Sequence, residues 1–357
     1  MVSTVGRSVS IRRRLRRYLP SAVALLVLAS ACFGLWYQYP AARTGRACSG
    51  MLDVDSVLGM TGRSRLTPFS IGFKVTSRQF VTSNSNDVTE PDGLATVCVV
   101  GGVRTSIETT AGAGAGDAYA VYSHADSYRT VPLGAEWQGF MVTQDGQAAV
   151  SVMLSCKNWS VERGGGILVT MESPYKSEPD KAMRLKLAHA ATATVMRAAE
   201  ETGCVTTPGD SSKISAPVAG PRTVSVGEES GTCRGVSSAA QVQETDAGIS
   251  PVEACVLVGG IRLVAQYGPF SDGDGAAQDG KYGGNDTPSG VEFWETWTSA
   301  SCKGALGVGY YHALTAEGSD REFTKDPLSK SERADLQRFA EQSAARHGCS
   351  TPTALSS

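Results

Sequence analysis

The sequence predicts an α+β protein with an N-terminal transmembrane helix and two tandem units, each an antiparallel sheet with a closing C-terminal helix, stapled by disulfides. Three observations predict this fold. Runs rich in β-forming residues are grouped ahead of one long helical pattern in each half, instead of alternating with helices. Cysteine landmarks recur in the same order in both halves. Near the N-terminus, an uncharged apolar stretch follows a cluster of arginines.

Charge is distributed unevenly along the 357 residues. The whole chain has 33 basic and 35 acidic residues, which gives a formal net charge of −2. Residues 1–46 hold eight of the basic residues and none of the acidic ones, so the rest of the chain has a net charge of −10. This balance excludes a dedicated nucleic-acid-binding protein, which would carry a basic surface. Hydrophobic residues make up 41%, enough to form a packed core.

The N-terminal region predicts one membrane-spanning segment. Residues 1–17 are a basic leader, and residues 18–39 contain no Asp, Glu, Lys or Arg. About 20 apolar residues are enough to cross a bilayer. Five arginines between Arg12 and Arg17 precede the segment, and Trp36, Tyr37 and Tyr39 end it. By the positive-inside rule and the aromatic belt, we expect a single-pass cell-membrane protein with a cytoplasmic N-terminus and the bulk of the chain outside.

Two alternative interpretations of this segment stay open. Ala29-Ser30-Ala31 has the A-x-A pattern of a signal-peptide cleavage site, which predicts a secreted protein. Residues 28–32 are similar to the lipobox of bacterial lipoproteins, which makes Cys32 a candidate for lipidation. The apolar run continues beyond Cys32 to Tyr37, and this favours a retained anchor. All three interpretations place the remaining residues outside the cytoplasm.

The cysteines predict a disulfide framework. Cys32 belongs to the anchor, and the other eight lie beyond it, an even number as expected in an oxidising compartment. No pair has the C-x-x-C spacing of zinc or thioredoxin-type sites. Four cysteines allow three connectivities per unit. The spacing between the third and fourth cysteine of each unit is 48 and then 47 residues, and it favours the pairs Cys48–Cys98, Cys156–Cys204, Cys233–Cys255 and Cys302–Cys349.

The sequence around these cysteines indicates a tandem duplication. Residues 96–104 match residues 253–262 with one extra residue, and Ser155-Cys156-Lys157 matches Ser301-Cys302-Lys303. Each last cysteine follows a glycine and precedes a Thr-Pro pair. We therefore predict a first four-cysteine unit at residues 47–208, a linker rich in Pro, Ser and Gly at 209–230, a second unit at 231–352 and a tail at 353–357.

The elements follow from residue periodicity. In the first unit, residues 52–59 predict a short helix, residues 180–203 predict the closing helix, and strands are expected within residues 72–81, 95–108, 138–143, 148–156 and 166–172. The second unit repeats this pattern with strands within residues 255–267, 291–302 and 306–316 and a helix at residues 331–347. An antiparallel sheet is expected in both units because the strands are not separated by helices.

The chain contains no recognisable catalytic or metal-binding motif. It has neither G-x-S-x-G nor H-E-x-x-H, so we predict no catalytic residue, no metal site and no cofactor. Trp294 and Trp297 cannot both face one side of a regular strand, so one is expected in the core and the other exposed as a binding contact. His312 follows two tyrosines in a predicted strand. We take these three residues as candidate binding residues.

Taken together, the basic leader, the near-lipobox, the four-cysteine unit and the composition rich in Ala, Gly, Val and Arg resemble the uncharacterised membrane-anchored envelope proteins and lipoproteins of actinobacteria. The resemblance implies an extracytoplasmic location. We expect a protein held in the cytoplasmic membrane by its N-terminal helix, whose two units bind another envelope protein or a small ligand without catalysis. The alternative is a secreted hydrolase with an active site in one unit, for example around His312.

Overall fold

The computed structural model describes residues 23–33, 47–60, 75–82, 93–110, 129–144, 146–159, 165–174, 179–271, 287–315 and 319–355. Residues 23–33 form helix α1. The basic leader and the other residues of the predicted 18–39 segment lie outside the described residues. None of the helices within these ranges is both long enough and apolar enough to cross a membrane.

The first unit is a seven-stranded antiparallel sheet with a long closing helix. A 3-10 helix at Ala47–Gly50 and helix α2 (Val54–Met60) precede the sheet. The sheet order is β1-β2-β3-β7-β6-β5-β4, and helix α3 (Lys181–Thr202) follows the last strand. The strands are β1 (Val75–Thr82), β2 (Gly93–Val100), β3 (Val103–Thr109), β4 (Val131–Pro132), β5 (Gly139–Gln144), β6 (Gln147–Ser155) and β7 (Gly166–Pro174).

The second unit has the same architecture, with sheet order β12-β13-β14-β11-β10-β9-β8 and closing helix α4 (Lys330–His347). Two 3-10 helices, Gly268–Phe270 and Gly304–Leu306, follow β11 and β13. The predicted α+β class with two antiparallel sheets is confirmed. The strands are β8 (Arg222–Ser225), β9 (Gln241–Glu244), β10 (Val252–Leu257), β11 (Ile261–Tyr267), β12 (Ser289–Val291), β13 (Glu295–Ser301) and β14 (Val308–Thr315).

The two sheets share the order of six strands. The series β1-β2-β3-β7-β6-β5 in the first unit corresponds to β9-β10-β11-β14-β13-β12 in the second. The corresponding strands β2 and β10 each carry the second cysteine of their unit. This shared topology agrees with the tandem duplication that the sequence predicts.

All four predicted disulfides are confirmed, and each occupies the same place in both units. One disulfide joins the N-terminal turn of the unit to β2 or β10, and the other joins the residue after β6 or β13 to the cysteine that follows the glycine C-cap of the closing helix. The chain-entropy model gives about 3–4 kcal/mol of stabilisation for loops of this length. The pairs are Cys48–Cys98, Cys156–Cys204, Cys233–Cys255 and Cys302–Cys349.

The structure refines two predictions. The strand expected at residues 95–108 is a hairpin, because Gly101 and Gly102 have φ angles of 61° and 94° and make the turn between β2 and β3. Part of the predicted linker at residues 209–230 belongs to the second sheet, because β8 pairs with β9 at its edge. The mostly exposed, polar side chains of β8 do not show the alternation that marks a half-buried strand.

The closing helices have strong end signals and cover one face of each sheet. Helix α4 begins at Ser329 with a capping box that involves Glu332, and it ends at Gly348 in the left-handed conformation. Helix α3 begins at Asp180, which accepts a hydrogen bond from the Met183 N–H, and it ends at Gly203. Apolar side chains of each helix are buried in the core of their own unit.

The face of the first sheet opposite α3, here called its outer face, packs against the second unit. Phe140, Val142, Met153 and Leu168 alternate with residues that face α3, and they are buried in the same core cluster as residues of the second unit. The Phe140 ring meets that of Phe270 in an edge-to-face arrangement, with centroids 5.2 Å apart. The outer face of the first sheet therefore shares a core with the second unit.

Candidate functional site

Three polar side chains form a connected group on the outer face of the second sheet, opposite α4. This histidine cluster consists of Glu295 on β13 and Tyr310 and His312 on β14. The distance from His312 Nδ1 to Glu295 Oε2 is 2.6 Å, and Tyr310 Oη donates a hydrogen bond to Glu295 Oε1 at 2.8 Å. The Tyr310 and His312 rings are tilted against each other with centroids 4.9 Å apart. The carboxylate therefore holds both side chains.

The alternation of side chains along β14 and the pairing of β14 with β13 bring the three side chains of the cluster together. Tyr310 and His312 are two residues apart on β14, so they share one face, while Tyr311 points toward α4. Burial raises the pKa of the Tyr311 hydroxyl, which stays neutral. His312 is paired across the strands with Trp297, whose indole Nε1 donates to the carbonyl oxygen of Thr287 at 3.1 Å. This places Trp297 beside the histidine on the outer face.

The imidazole of His312 is buried, and only one of its two ring nitrogens has a hydrogen-bond partner among the described residues. The residue is 7% exposed, and Nε2 has no hydrogen-bond partner among the described residues. Because a carboxylate accepts hydrogen bonds, Nδ1 carries the proton that points to Glu295, and in the neutral ring Nε2 is left as an acceptor. A buried polar atom without a partner costs about 1–3 kcal/mol.

The turn between β12 and β13 exposes apolar side chains next to the cluster. This aromatic tip consists of Val291, Phe293 and Trp294, and Trp294 is the most exposed of the three at 66%. The Phe293 and Trp294 rings meet edge to face with centroids 4.3 Å apart. The Phe293 carbonyl accepts a hydrogen bond from the Phe323 N–H at 3.1 Å, which fixes the tip to the chain before α4.

The structure thus separates the two candidate tryptophans in the way the strand pattern predicts. Trp297 is buried at 4% exposure, and Trp294 is exposed. Gly290 faces the Trp297 ring, and a Cβ at that position would lie 2.5 Å from two ring carbons. The large indole fits against β12 because this residue has no side chain. The binding role of both tryptophans and of His312 stays a prediction.

The first unit carries different residues at the equivalent positions. Aligning Ser155 with Ser301 and following the register places Thr170 at the position of His312 and Ser151 at that of Trp297. The Ser151 and Thr170 hydroxyls bond each other at 2.9 Å, so the pair satisfies itself. The equivalents of Glu295 and Tyr310 are Ala149 and Leu168. The histidine cluster is therefore specific to the second unit.

The cluster has part of the geometry of a hydrolase. A carboxylate orients a histidine in the way that Ser-His-Asp enzymes require. Such enzymes also need a nucleophile within hydrogen-bond reach of the second ring nitrogen, and His312 Nε2 has no such partner in the described part of the chain. The described ranges also contain no group of three or more His, Cys, Asp or Glu side chains suited to a metal. The arrangement fixes the orientation of an imidazole whose second ring nitrogen is buried.

Two residues outside the histidine cluster, Cys32 and Asn158, have different surroundings. Cys32 is unpaired and exposed on α1. Asn158 begins an Asn-Trp-Ser sequon, but its amide caps the end of α3, because Nδ2 donates to the Gly203 carbonyl at 2.8 Å and Oδ1 accepts from the Val205 N–H at 2.9 Å. Asn158 therefore has a structural role.

Sequence reasoning did not find Glu295 and Tyr310. The spacing of Tyr310 and His312 places them on one face of a strand, so this part of the signal was present in the sequence. The partnership with Glu295 depends on the pairing of β13 with β14, which sequence periodicity does not specify. No protein-family model, curated protein or solved structure matches the chain.

Proposed function

We propose that this chain is a non-catalytic binding protein of the cell envelope, anchored in the membrane by residues 18–39, with its binding surface on the second unit. The observation that carries the proposal is the exposed aromatic tip, which immediately precedes Glu295 along the chain. Trp294 is 66% exposed there, although large aromatic side chains are usually buried in soluble domains. Exposed tryptophans often supply much of the binding energy at interfaces.

The disulfides support an extracytoplasmic location. Eight cysteines form four pairs, and such bonds persist mainly in oxidising compartments. The exposed apolar side chains of α1, among them Leu25 and Leu26, support an anchoring role for this segment. Cys32 on the same helix remains a candidate for lipidation as an alternative means of attachment.

Comparison of the two units supports a binding role for the second. The outer face of the first sheet is occupied by the second unit, through Phe140 and Leu168. At the positions equivalent to Leu168 and Thr170, the second sheet carries Tyr310 and His312. In the first unit the outer face of the sheet therefore packs against the other unit. In the second unit the same face carries the residues of the proposed binding site.

Binding can be tested with the full chain solubilised in detergent and an isolated cell-envelope fraction. We expect the wild-type chain to sediment with the envelope fraction and Trp294→Ala to lose at least tenfold in affinity, because the exposed indole is the main contact. Val258→Ala, at another exposed apolar position of the second unit, is the control and should bind normally. Equal binding by Trp294→Ala and the wild type would refute the proposed surface.

Attachment to the membrane is tested separately by fractionating cells that express the chain or its Cys32→Ala variant. A retained anchor predicts that both proteins stay in the membrane fraction with an intact N-terminus. Release of only the Cys32→Ala variant would identify a lipoprotein. Recovery of the wild type in the soluble fraction would contradict anchoring by either route.

A secreted hydrolase is a second candidate, favoured by the 2.6 Å contact between Glu295 and His312. This candidate predicts turnover on a panel of ester and peptide substrates, and loss of that turnover in His312→Gln. Turnover that depends on His312 would replace the binding proposal. If the wild-type chain is inactive on the whole panel, the hydrolase candidate loses its support.

A further inference from the structure

We propose that the partner of the second unit is a protein, and that an extended segment of it adds as a further strand to the edge of β12, the strand that ends at the aromatic tip. Within the described residues, β12 is the last strand on this side of the second sheet and pairs only with β13. Sheet edges bind extended peptides in this way in several classes of protein. The inference rests on the proposed binding function, because it names the class of partner for that surface.

The first support is the first unit, in which the equivalent edge is covered by a strand. β5 is the counterpart of β12, and the side of β5 that faces away from β6 pairs with β4, with Val131 opposite Met141. The alignment of the two units places Val291 at the position of Met141. The first unit therefore shows how a strand is held at this edge.

The second support is the direction of the backbone groups of Val291. The Glu292 N–H donates to the Glu295 carbonyl at 2.8 Å, which makes these two residues a hydrogen-bonded pair. Such pairs alternate with non-hydrogen-bonded pairs along antiparallel strands, so Val291 exchanges no hydrogen bonds with Thr296 opposite. The N–H and C=O groups of Val291 therefore point away from β13, toward the edge.

The same backbone groups are bonded in the first unit. The Leu133 N–H donates to the Gly139 carbonyl at 3.0 Å, and the alternation makes Val131 and Met141 the next hydrogen-bonded pair. An added segment would therefore give Val291 two hydrogen bonds, as Val131 gives Met141.

The third support is the apolar surface at this edge. Met141, next to β4, is fully buried, whereas Val291 is 44% exposed, and the two aromatic residues of the tip extend the exposed surface. The covering segment of the first unit supplies Val131 and Leu133, which are two residues apart and both buried in the core. We therefore expect the partner segment to carry apolar side chains at alternate positions.

Charge narrows the choice of segment further. Glu292 is exposed beside Val291, and the chain beyond residue 46 has a net charge of −10, so a neutral or basic segment is favoured. The opposite edge strand of the sheet, β8, carries mostly exposed polar side chains and offers less apolar surface. An apolar segment is therefore expected at β12.

The probe is a capped synthetic peptide with the sequence of residues 129–135, which contains β4. It is titrated into the full chain in detergent, and amide hydrogen exchange reports binding at each edge. We expect a Kd of about 1 mM or tighter and slower exchange of the Val291 N–H, because this group gains an acceptor. Exchange of the Met141 N–H should stay unchanged, because β4 already pairs with Met141.

Matched changes test the backbone hydrogen bonds themselves. Val291→Pro removes the outward N–H, while Val291→Thr keeps this N–H and the branched side chain. We expect Val291→Pro to weaken binding of the peptide and of the envelope fraction by about tenfold, and Val291→Thr to bind normally. A peptide N-methylated at its valine should show the same loss with the wild-type chain, which tests the hydrogen bonds even if Val291→Pro does not fold.

The outcomes separate this inference from the proposed function. If envelope binding needs Trp294 but leaves exchange of the Val291 N–H unchanged, the partner contacts only the tip side chains, and strand addition is wrong while the proposed function stands. If the peptide binds and the envelope fraction does not, strand addition stands and the proposed function is wrong. If ultracentrifugation shows a dimer that Val291→Pro dissociates, the strand comes from a second copy, and the inferred partner protein is wrong. If neither probe binds, both proposals fail.

Discussion

Glu244 and Glu295 show how two carboxylates of one sheet take different roles. Glu244 is buried and accepts hydrogen bonds from the Arg222 guanidinium and from the backbone N–H groups of Ser230 and Gly231, at 2.9, 3.1 and 2.8 Å. These donors fix the turn that leads to Cys233. The donors of Glu295 are side chains of β14, so Glu295 orients a histidine instead of the backbone.

The turn held by Glu244 gives a prediction for Gly231. A Cβ at this position would collide with the carbonyl oxygen of Thr245 and press on the Glu244 carboxylate. We expect Gly231→Ala to lower the free energy of unfolding by about 1–3 kcal/mol, the usual cost of overpacking. Gly220→Ala is the control, because no atom lies within 4 Å of its added Cβ. Urea unfolding measures both, and equal stability of the two variants would contradict the prediction.

Glu332 gives a prediction for the dependence of stability on pH. Hydrogen bonds from Arg321 lower its pKa from 4.5 to about 2, with a further contribution from the Ser329 cap. A carboxyl group with a lowered pKa stabilises the fold above its unfolded pKa and loses this effect as pH falls toward the folded value. The contribution is therefore complete above about pH 4.5 and disappears toward pH 2.

Comparison with Glu332→Gln isolates this effect. At pH 6 we expect the variant to be about 1–2 kcal/mol less stable in urea unfolding, and this difference should shrink between pH 4.5 and pH 2. Asp326→Asn removes an exposed contact to the same arginine and should have little effect. A difference that stays constant down to pH 2 would contradict the prediction, because it would not depend on the ionisation of Glu332.

At the scale of elements, the sequence predicts what local periodicity and repetition can specify. The helices α3 and α4 have clear caps, and the near-equal spacing of the third and fourth cysteine in the two units favours the observed disulfide pairs. Strands β4, β8 and β9 lie outside the predicted strand ranges, because two to four residues are too few for a periodic pattern to indicate a strand. The contact between Glu295 and His312 depends on long-range register, which no local pattern encodes.

The disulfides give a prediction at this scale. In the chain-entropy model, loss of Cys302–Cys349, which closes a separation of 47 residues, costs about 4 kcal/mol, and loss of Cys233–Cys255, with 22 residues, costs about 3 kcal/mol. We expect the Cys302→Ser/Cys349→Ser double variant to be less stable than the Cys233→Ser/Cys255→Ser double variant in urea unfolding under non-reducing conditions. The reverse order would show that local packing outweighs loop length.

At the scale of the whole molecule, the two units use one duplicated face in different ways. The first unit buries Phe140, Met153 and Leu168 against the second unit. Ala305 of the second unit lies very close to Gly166 of the first. A Cβ added to Gly166 would lie 2.6 Å from the Cβ of Ala305. Two units that were joined only through the chain, without packing against each other, would not need a glycine at this contact. Because residues of both units share the second core cluster, we expect the proposed binding surface of the second unit to depend on the first unit for its stability.

Phe140 tests this dependence because its ring links the two units through Phe270. We expect Phe140→Ala to cost about 3–5 kcal/mol, the usual loss for a buried phenylalanine, and to separate the unfolding of the units, since the lost contacts lie between them. Met141→Ala is the matched control, because the adjacent side chain faces the core of the first unit.

Calorimetry and amide exchange of α3 and α4 distinguish the two cases. We expect Phe140→Ala to weaken protection in both helices and to split a single transition into two, whereas Met141→Ala should weaken α3 first. If Phe140→Ala leaves the protection of α4 unchanged, the second unit is stable on its own and its binding surface does not depend on the first.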